Sequence, residues 1–472
     1  MSLRRKTTHA IGWQLAARMT DRGLRFCASV FLARMLAPDD FGALAATLVI
    51  SSAVETITSV GIDQAIAQSP RSADPRFLGS AFRISAFRGA LLALLIYVSA
   101  PLVAWYFESE ALLSLTRVIA LSPLFVGLGN PWVHSERKEL RFRAFSLAMV
   151  IGGIGQITTS ILCARAGFGA ISLAYGIVVN SAVSTAAGWL LVARRLDLRK
   201  DPTATLEFRV FARRAVGVPA LIMLHLQAPA LVLGRLAGLP VLGIYTLADR
   251  LCSLPSEIAL PVFGTVLAPA YAQVRDDQVR LRRVWLRVLG GVPLIAIAPI
   301  TAMVALDERV PTLVYGERYG STPGLISALA LVALLSTLTS CCGPLFWGIG
   351  RPDLDRMAVL LRVCVLAVTA TLGALWFGAI GFALGVSVAY IAALMYCLPM
   401  ARRMTNASWR EIVRALAPAG FVGGVTLALD VLLTRAPWMS EVTSMWMCVL
   451  VGCVTMVTMM LCGLRLKRVA NG

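Results

Sequence analysis

Apolar residues run along this chain in blocks of about twenty, parted by short stretches where charge, glycine and proline gather. A helix of roughly 20 mainly apolar residues is long enough to cross the hydrocarbon of a bilayer. On that measure the pattern predicts spans at residues 10–35, 42–64, 81–106, 111–133, 144–164, 169–193, 213–236, 241–267, 285–305, 323–347, 355–377, 379–399, 412–434 and 443–464. The expected fold class is an all-α polytopic membrane protein of about 14 transmembrane helices. No loop between these blocks is long enough for a folded domain, the longest being 194–212 on one side and 307–322 on the other. Whatever the protein does, it is expected to do inside the helix bundle.

Composition agrees, with 58% apolar and 15% charged residues. The net charge of +19 would suggest a nucleic-acid partner in a soluble protein. Sorted by loop, it reads as topology instead. On the fourteen-span reading most of the 44 Lys and Arg fall in the N-terminus, the even-numbered loops and the C-terminal tail. The odd-numbered loops hold only Arg165, Arg309, Arg318 and Arg435. Positive residues stay on the cytoplasmic side, so both termini are expected there, with no nucleic acid involved and with membrane lipid as the surrounding partner. The 10 Cys lie in or beside apolar blocks without a C-x-x-C spacing, and read as small hydrophobes, not as disulfides or metal ligands. The basic N-terminus starts like a signal peptide, but the segment after it is too charged for one, and is expected to be retained.

The basic stretch RRLDLRKDPTATLEFR, residues 194–209, divides the chain into six spans before it and eight after. The expected organisation is an N-terminal lobe at 1–200, a C-terminal lobe at 201–400, and two additional helices with a cytoplasmic tail at 401–472. Six spans is an even number, so the lobes would share an orientation, as parallel repeats do. A short internal match supports this. LARMLAPDDFG at 32–42 aligns without gaps on LGRLAGLPVLG at 233–243, pairing Leu32 with Leu233, Arg34 with Arg235 and Gly42 with Gly243.

The runs FLARMLAPDDFGALAATLVI, VGIDQAIAQ and LGRLAGLPVLGIYTLADRL resemble the polysaccharide-flippase branch of the multidrug/oligosaccharidyl-lipid/polysaccharide exporter superfamily, the branch that carries O-antigen and exopolysaccharide repeat units. The resemblance implies two pseudo-symmetric six-helix lobes around a central cavity. It also implies translocation of a polyprenyl-diphosphate-linked oligosaccharide from the cytoplasmic to the periplasmic leaflet of a bacterial inner membrane, for lipopolysaccharide or exopolysaccharide synthesis. Other assembly proteins such as the polymerase would be partners, and no cofactor is implied.

Charges inside the spans are the candidate chemistry. The first span, GWQLAARMTDRGLRFCASVFLARML, carries Arg18, Asp21, Arg22 and Arg25 in its first half. At about 2.5 to 3.5 kcal/mol each near a helix centre, four charges cost more than the apolar residues of one helix recover. They fall within about 100° of one another around the helix, so one face can turn from lipid toward protein or water. One reading is a structural cluster, with Asp21 and Arg25 spaced i, i+4 as a pair. The other uses the excess of three Arg over one Asp: Arg18, Arg22 and Arg25 would bind a diphosphate, whose oxygens match the guanidinium fork, and Asp21 would hold one of them. Arg250 in the eighth span is a further candidate ligand. Asp249 and Glu257 beside it stand either in the cavity or in a structural pair. Glu55, near the middle of the second span, would pair with the first-span Arg cluster or titrate. His225 and Gln227 lie between Pro219 and Pro229, where broken backbone at membrane depth would line a cavity or be buried in protein.

Nothing points to catalysis: the sequence offers no nucleophile triad, metal cluster or nucleotide loop, and no outer loop large enough for a glycan polymerase or ligase. A drug/cation antiporter of the same superfamily would call for carboxylates where this chain has arginines.

Overall fold

The computed structural model describes residues 20–57, 62, 65–66, 69–139, 141–199, 201–215, 218–305, 307, 309–320 and 322–434, with the backbone alone at 57, 209–215, 218–220, 254–266, 298 and 429–434. The first half of the first expected span, Arg18 included, and the whole of the last one at 443–464 lie outside the described residues. Helices and turns make up the described residues, with no β-strand among them. The chain divides into two compact units, Met1–Ile244 and Tyr245–Gly472.

The first unit contains α1 (20–35), α2 (Pro38–Ile57), α3 (Pro75–Tyr106), the bent series α4 (Ala111–Ile119), α5 (Leu121–Gly127) and α6 (Pro131–Lys138), then α7 (Arg143–Arg165), α8 (Ala170–Leu191), α9 (Pro202–Ala215) and α10 (Val218–Leu236). Next, α11 (Leu239–Gln273) runs across the division, and the second unit continues with α12 (Gln278–Ala305), α13 (Arg309–Tyr315), α14 (Leu325–Ser340), α15 (Gly343–Gly348), α16 (Pro352–Thr405) and α17 (Trp409–Thr434). Several begin on proline, which has no N–H to lose at a first turn. In α3 and α6 the residue before it is the cap: Asp74 accepts from the Arg76 N–H at 2.9 Å, and Asn130 from the Trp132 N–H at 3.1 Å.

Seven helices among the described residues are long and apolar enough to cross a membrane, eight when the bent pair Ala111–Gly127 and Pro131–Lys138 is taken as one. Their outer faces carry large apolar side chains in the open, among them Phe87, Trp105, Leu190 and Met395. Small residues let the helices close on one another, as in other membrane bundles. Gly89 of α3 and Gly127 of α5, for instance, meet backbone to backbone. The molecule is a multi-pass membrane protein.

Two expectations need correction. The span expected at 111–133 is not one straight helix: it bends by 57° between Gly127 and Pro131. Proline cannot continue the preceding helix, and carbonyls freed at membrane depth need donors. Side chains of α8 supply them, Thr185 to the Phe125 carbonyl and the Trp189 indole to the Leu128 carbonyl, each at 2.9 Å. In return Asn130 donates its amide to the Gly188 and Val192 carbonyls at the end of α8, at 3.2 and 2.8 Å. The backbone around His225 and Gln227, conversely, is unbroken. The helix α10 runs from Val218 to Leu236, with Pro219 in its first turn and Pro229 in its interior.

The basic stretch after α8 is strapped to the start of α3. Arg76 pairs with Asp197 at 2.9 Å, Arg83 donates to the Leu198 carbonyl at 2.8 Å, and Arg71 bridges Asp74 and Asp201. Gly79 leaves the room, since a methyl group there would overlap the Asp197 carbonyl. The Thr203 hydroxyl, the Ala204 N–H and Arg71 hold the Asp201 carboxyl well below the ordinary range.

The 54 residues of α16 are a hairpin. Phe377 and Gly378 leave helical geometry, Gly378 at φ 58°, and the chain reverses there. Thr369 donates to the Gly385 carbonyl at 2.8 Å, and Gly373 lies against Gly381.

Candidate functional site

The first-span charges are described from Asp21 onward, and they meet polar side chains from two other helices. Arg25 donates through Nε to Asp21 Oδ2 at 2.9 Å and through Nη1 to Gln156 Oε1 of α7 at 2.8 Å. Asn180 of α8 donates to the same Gln156 oxygen at 3.1 Å and accepts from the Ser184 hydroxyl at 3.1 Å. The i, i+4 spacing anticipated the first contact; the rest depends on α7 and α8 packing closely. Glycines at the seam allow it: a methyl group at Gly152 would overlap Ser184 Oγ, and one at Gly153 would stand 3.0 Å from Asp21 Oδ1.

Charge and burial are divided unequally in this cluster. The Asp21 side chain is 13% exposed and that of Arg25 39%. The carboxylate is therefore enclosed while its arginine stays reachable. Arg22, one residue on, is half-buried and engaged within the protein. Arg25 also borders a cavity of about 340 Å³ bounded by α8, α7 and the bend between α5 and α6.

A second polar group lies where α2 meets α3 and α10. Arg88 of α3 donates to the Glu55 carbonyl at 3.1 Å, and its charge acts on the Glu55 carboxylate. One turn away, Gln227 of α10 donates to Ser52 at 2.8 Å, and Ser52 to the Leu48 carbonyl at 2.7 Å. The unbroken α10 thus brings Gln227 to α2, while His225 is part-way along the same helix and engaged within the protein. Arg88 is the residue near Glu55 that sequence reasoning left without a role.

Asp249 and Arg250 belong to the second unit, on α11, and both are exposed. Asp249 is near enough to Tyr245 and Tyr390 to act on them electrostatically, and the Arg362 guanidinium lies 4.9 Å over the Tyr390 ring. The Glu257 side chain, like Arg18, lies outside the described residues. No group of three or more His, Cys, Asp or Glu among the described residues could hold a metal ion.

Curated relatives of this sequence carry the names of surface-polysaccharide biosynthesis proteins. The lipopolysaccharide biosynthesis protein WzxC of Escherichia coli (strain K12) is 24% identical over 88% of this chain and 85% of its own. The succinoglycan biosynthesis transport protein ExoT of Rhizobium meliloti (strain 1021) is 26% identical over 85% of this chain and 79% of its own. Among solved structures, the lipid II flippase MurJ in an inward closed conformation superposes with a TM-score of 0.73 at 14% identity, covering 95% of this chain and 97% of that one. An inward-facing multidrug transporter of the MATE family follows at 0.64 and 17%, covering 81% and 94%. At such identities these two superpositions speak for the fold alone. The family described as polysaccharide biosynthesis protein matches residues 31–322, more than half of the sequence, and the chain belongs to that family.

Proposed function

We propose that this protein is a flippase that carries a polyprenyl-diphosphate-linked oligosaccharide unit from the cytoplasmic to the periplasmic leaflet of a bacterial inner membrane, and that it catalyses no covalent step. The observation that carries the reading is Arg25: a reachable guanidinium in the first expected span, oriented by Asp21 and Gln156 and bordering a cavity. Charge inside a span is costly and marks a functional site; Asp21 pairs with Nε, and the exposed remainder of the guanidinium fork fits phosphate oxygens. The relatives' names, biosynthesis and transport proteins of surface polysaccharides, agree with such a cargo.

In this proposal fourteen spans form two six-helix lobes, 1–200 and 201–400, with two further helices in 401–472 and both termini in the cytoplasm. Arg18, Arg22, Arg25 and Arg250 bind the diphosphate. Asp21, Glu55, His225, Gln227, Asp249 and Glu257 line the path or couple it to ions. The prenyl tail stays in lipid while the headgroup passes between the lobes. Moving a negative headgroup outward across an inside-negative membrane is favoured by about 2.3 kcal/mol per charge per 100 mV if it crosses the full field. A cation antiporter fits less well, because the reachable side chain of the cluster is a cation itself.

The test is transport in proteoliposomes, with a prenyl-diphosphate oligosaccharide loaded on one side and a sugar-modifying probe on the other. Wild type exposes the sugar to the probe, and Arg25→Ala does not. Equal rates for the two at equal protein content would reject the diphosphate site.

A further inference from the structure

Arg83 stands apart from the other arginines at the start of α3. Arg71 is paired with Asp74 and Asp201, and Arg76 with Asp197. Among the described residues Arg83 makes no ion pair; it donates to neutral oxygens, the Leu198 carbonyl at 2.8 Å and the Ser80 hydroxyl at 3.1 Å. Its positive charge and its remaining N–H donors are therefore available, on a residue that lines an open cavity of about 590 Å³ between α3 and α9. Ile84 also contributes from α3, and Pro202, Thr205 and Leu206 from the first turns of α9. Phe208, stacked on Phe77 with ring centroids 4.8 Å apart, pins α9 to α3. Asp201 lines the cavity as well, but its carboxylate is already bonded to Arg71, Thr203 and the Ala204 N–H. The Thr205 hydroxyl donates to the Asp201 carbonyl at 3.0 Å and keeps its lone pairs as acceptors.

An apolar stripe begins at the same arginine. Phe87, Leu91, Leu94 and Val98 follow Arg83 at helical spacing along α3, and all four are exposed. From Arg83 to Leu94 the helix rises about 16 Å, close to half of the roughly 30 Å hydrocarbon of a bilayer. Arg83 itself is in the first turn of the expected span 81–106, where lipid headgroups meet the chain, and on the expected topology that end is cytoplasmic. A soluble anion would occupy the cavity and leave the stripe bare. A phospholipid uses both, with its phosphate on Arg83 and an acyl chain along α3. The lining also discriminates among headgroups: an amine would need a carboxylate, and that of Asp201 is taken, whereas a glycerol brings hydroxyls that donate to Thr205.

We infer that the cavity between α3 and α9 binds an anionic phospholipid of the inner leaflet whose headgroup is a glycerol phosphate, with the Arg83 guanidinium on the phosphodiester. Basic pockets on the cytoplasmic side of membrane proteins recognise such headgroups. The site shares no residue with the Arg25 cluster, so it stands or falls separately from the reading of that cluster.

The test titrates the purified protein in detergent with phosphatidylglycerol, phosphatidylethanolamine and soluble glycerol phosphate, and counts bound molecules by native mass spectrometry. Wild type should hold phosphatidylglycerol about tenfold more tightly than phosphatidylethanolamine. Arg83→Gln should erase that preference, and Arg83→Lys should keep most of it. Arg141, exposed on the same expected face and outside the cavity, is the control, and Arg141→Gln should bind as wild type does. Thr205→Phe fills the cavity with Arg83 still in place and should also lose the preference, so it decides if Arg83→Gln unfolds. Equal binding of the two lipids by wild type, a preference that survives Arg83→Gln, or an equal loss in Arg141→Gln would overturn the site. Displacement of phosphatidylglycerol by glycerol phosphate at matching concentration would overturn the lipid in favour of a small anion, and displacement by a short-chain prenyl diphosphate would overturn it in favour of the cargo.

Discussion

Gly42 and Gly243 are packed reciprocally: Gly42 lies against the Leu239 carbonyl, and Gly243 against the Pro38 carbonyl. In the gapless match between 32–42 and 233–243, Pro38 and Leu239 occupy the same position, as do the two glycines. Each glycine therefore meets the counterpart of the residue that begins its own helix. That is the contact rule of a two-fold axis, here between two segments of one chain. The glycine identity between the two segments becomes intelligible, since a side chain at either glycine would drive the helix starts apart.

Alanine at Gly42 or Gly243 should accordingly destabilise the protein. In an unobstructed helix, glycine to alanine gains about 0.5–1 kcal/mol. Here a methyl group would overlap backbone, and overpacking of that kind costs about 1–3 kcal/mol. Because the contact is reciprocal, the two losses should be similar. Gly420→Ala is the control, since nothing lies within 4 Å of its added carbon, and it should leave the unfolding temperature in detergent level or raise it. A fall at Gly420 as large as at Gly42 would contradict the account.

Asp21→Asn should impair transport less than Arg25→Ala. The neutral amide still accepts from Arg25, and Gln156 continues to hold the guanidinium from the other side. A charge-assisted bond exchanged for a neutral one loses about 1 kcal/mol, or several-fold in rate. Arg25→Lys should fall between them, keeping charge and losing the fork. Initial transport rates per reconstituted molecule rank the three.

Asn130→Ala should be among the more damaging single changes away from the charges. It uncaps α6 and strips the Gly188 and Val192 carbonyls of their donor. Together these are worth about 2–4 kcal/mol. Trp189→Phe, which removes the bond to Leu128 and trims the ring packed edge-on against Phe82, should cost about 1 kcal/mol. Denaturant titration of the two variants against wild type gives the comparison.

The strap over α3 should be acid-labile. Asp74, Asp197 and Asp201 all have carboxyls held below their ordinary values, Asp201 the most. A depressed carboxyl lends stability above its unfolded value and loses it as pH falls through the folded one. Protease resistance of the 194–201 segment should hold from neutrality to about pH 4 and decline below that. Asp201→Asn should weaken protection already at pH 7, and a variant as protected as wild type at both pH values would show that the carboxylate does not fasten the segment.

Topology is open to labelling. A membrane-impermeant maleimide added from outside should reach Asp40→Cys and Glu317→Cys and miss Arg199→Cys and Ser408→Cys, in a background freed of accessible native thiols such as Cys27 and Cys364. Reversal at two of the four positions would defeat the fourteen-span arrangement.

Periodicity and charge made the all-helical membrane class and the Asp21–Arg25 pair legible, because both depend on local spacing. What stayed hidden depends on which helices meet. Gln156, Asn180 and Ser184 are ordinary polar residues inside apolar blocks, and nothing in their own neighbourhoods points to Arg25. The bend at Gly127–Pro131 did leave a trace, since Gly-Asn-Pro is a stop followed by a start. A long apolar block masked it. Ser408 and Glu411 form a capping box, with the Ser408 N–H donating to the Glu411 carboxylate at 2.8 Å and the Glu411 N–H to the Ser408 hydroxyl at 3.2 Å. That S-x-x-E signature was readable before α17. The continuous α10 shows the opposite error, of taking two prolines for a break when one stands in a first turn.

The turn inside α16 bears on how the chain is made. Thr369 and Gly385, like Gly373 and Gly381, are placed symmetrically about Phe377, so the two arms pair from the tip outward. Trp376, Phe377 and Gly378 at the tip offer no charge and no hydrophilic spacer. An insertion machine that releases helices one at a time has nothing to grip between these two. The arms are expected to enter the bilayer together, tip first, with the exposed rings of Trp376 and Phe377 stopping at the far headgroups, where aromatic side chains are favoured. Substituting a bulky residue at Gly381 would then show up first in biosynthesis, as chains that stall with one arm left behind, before any finished protein could be assayed.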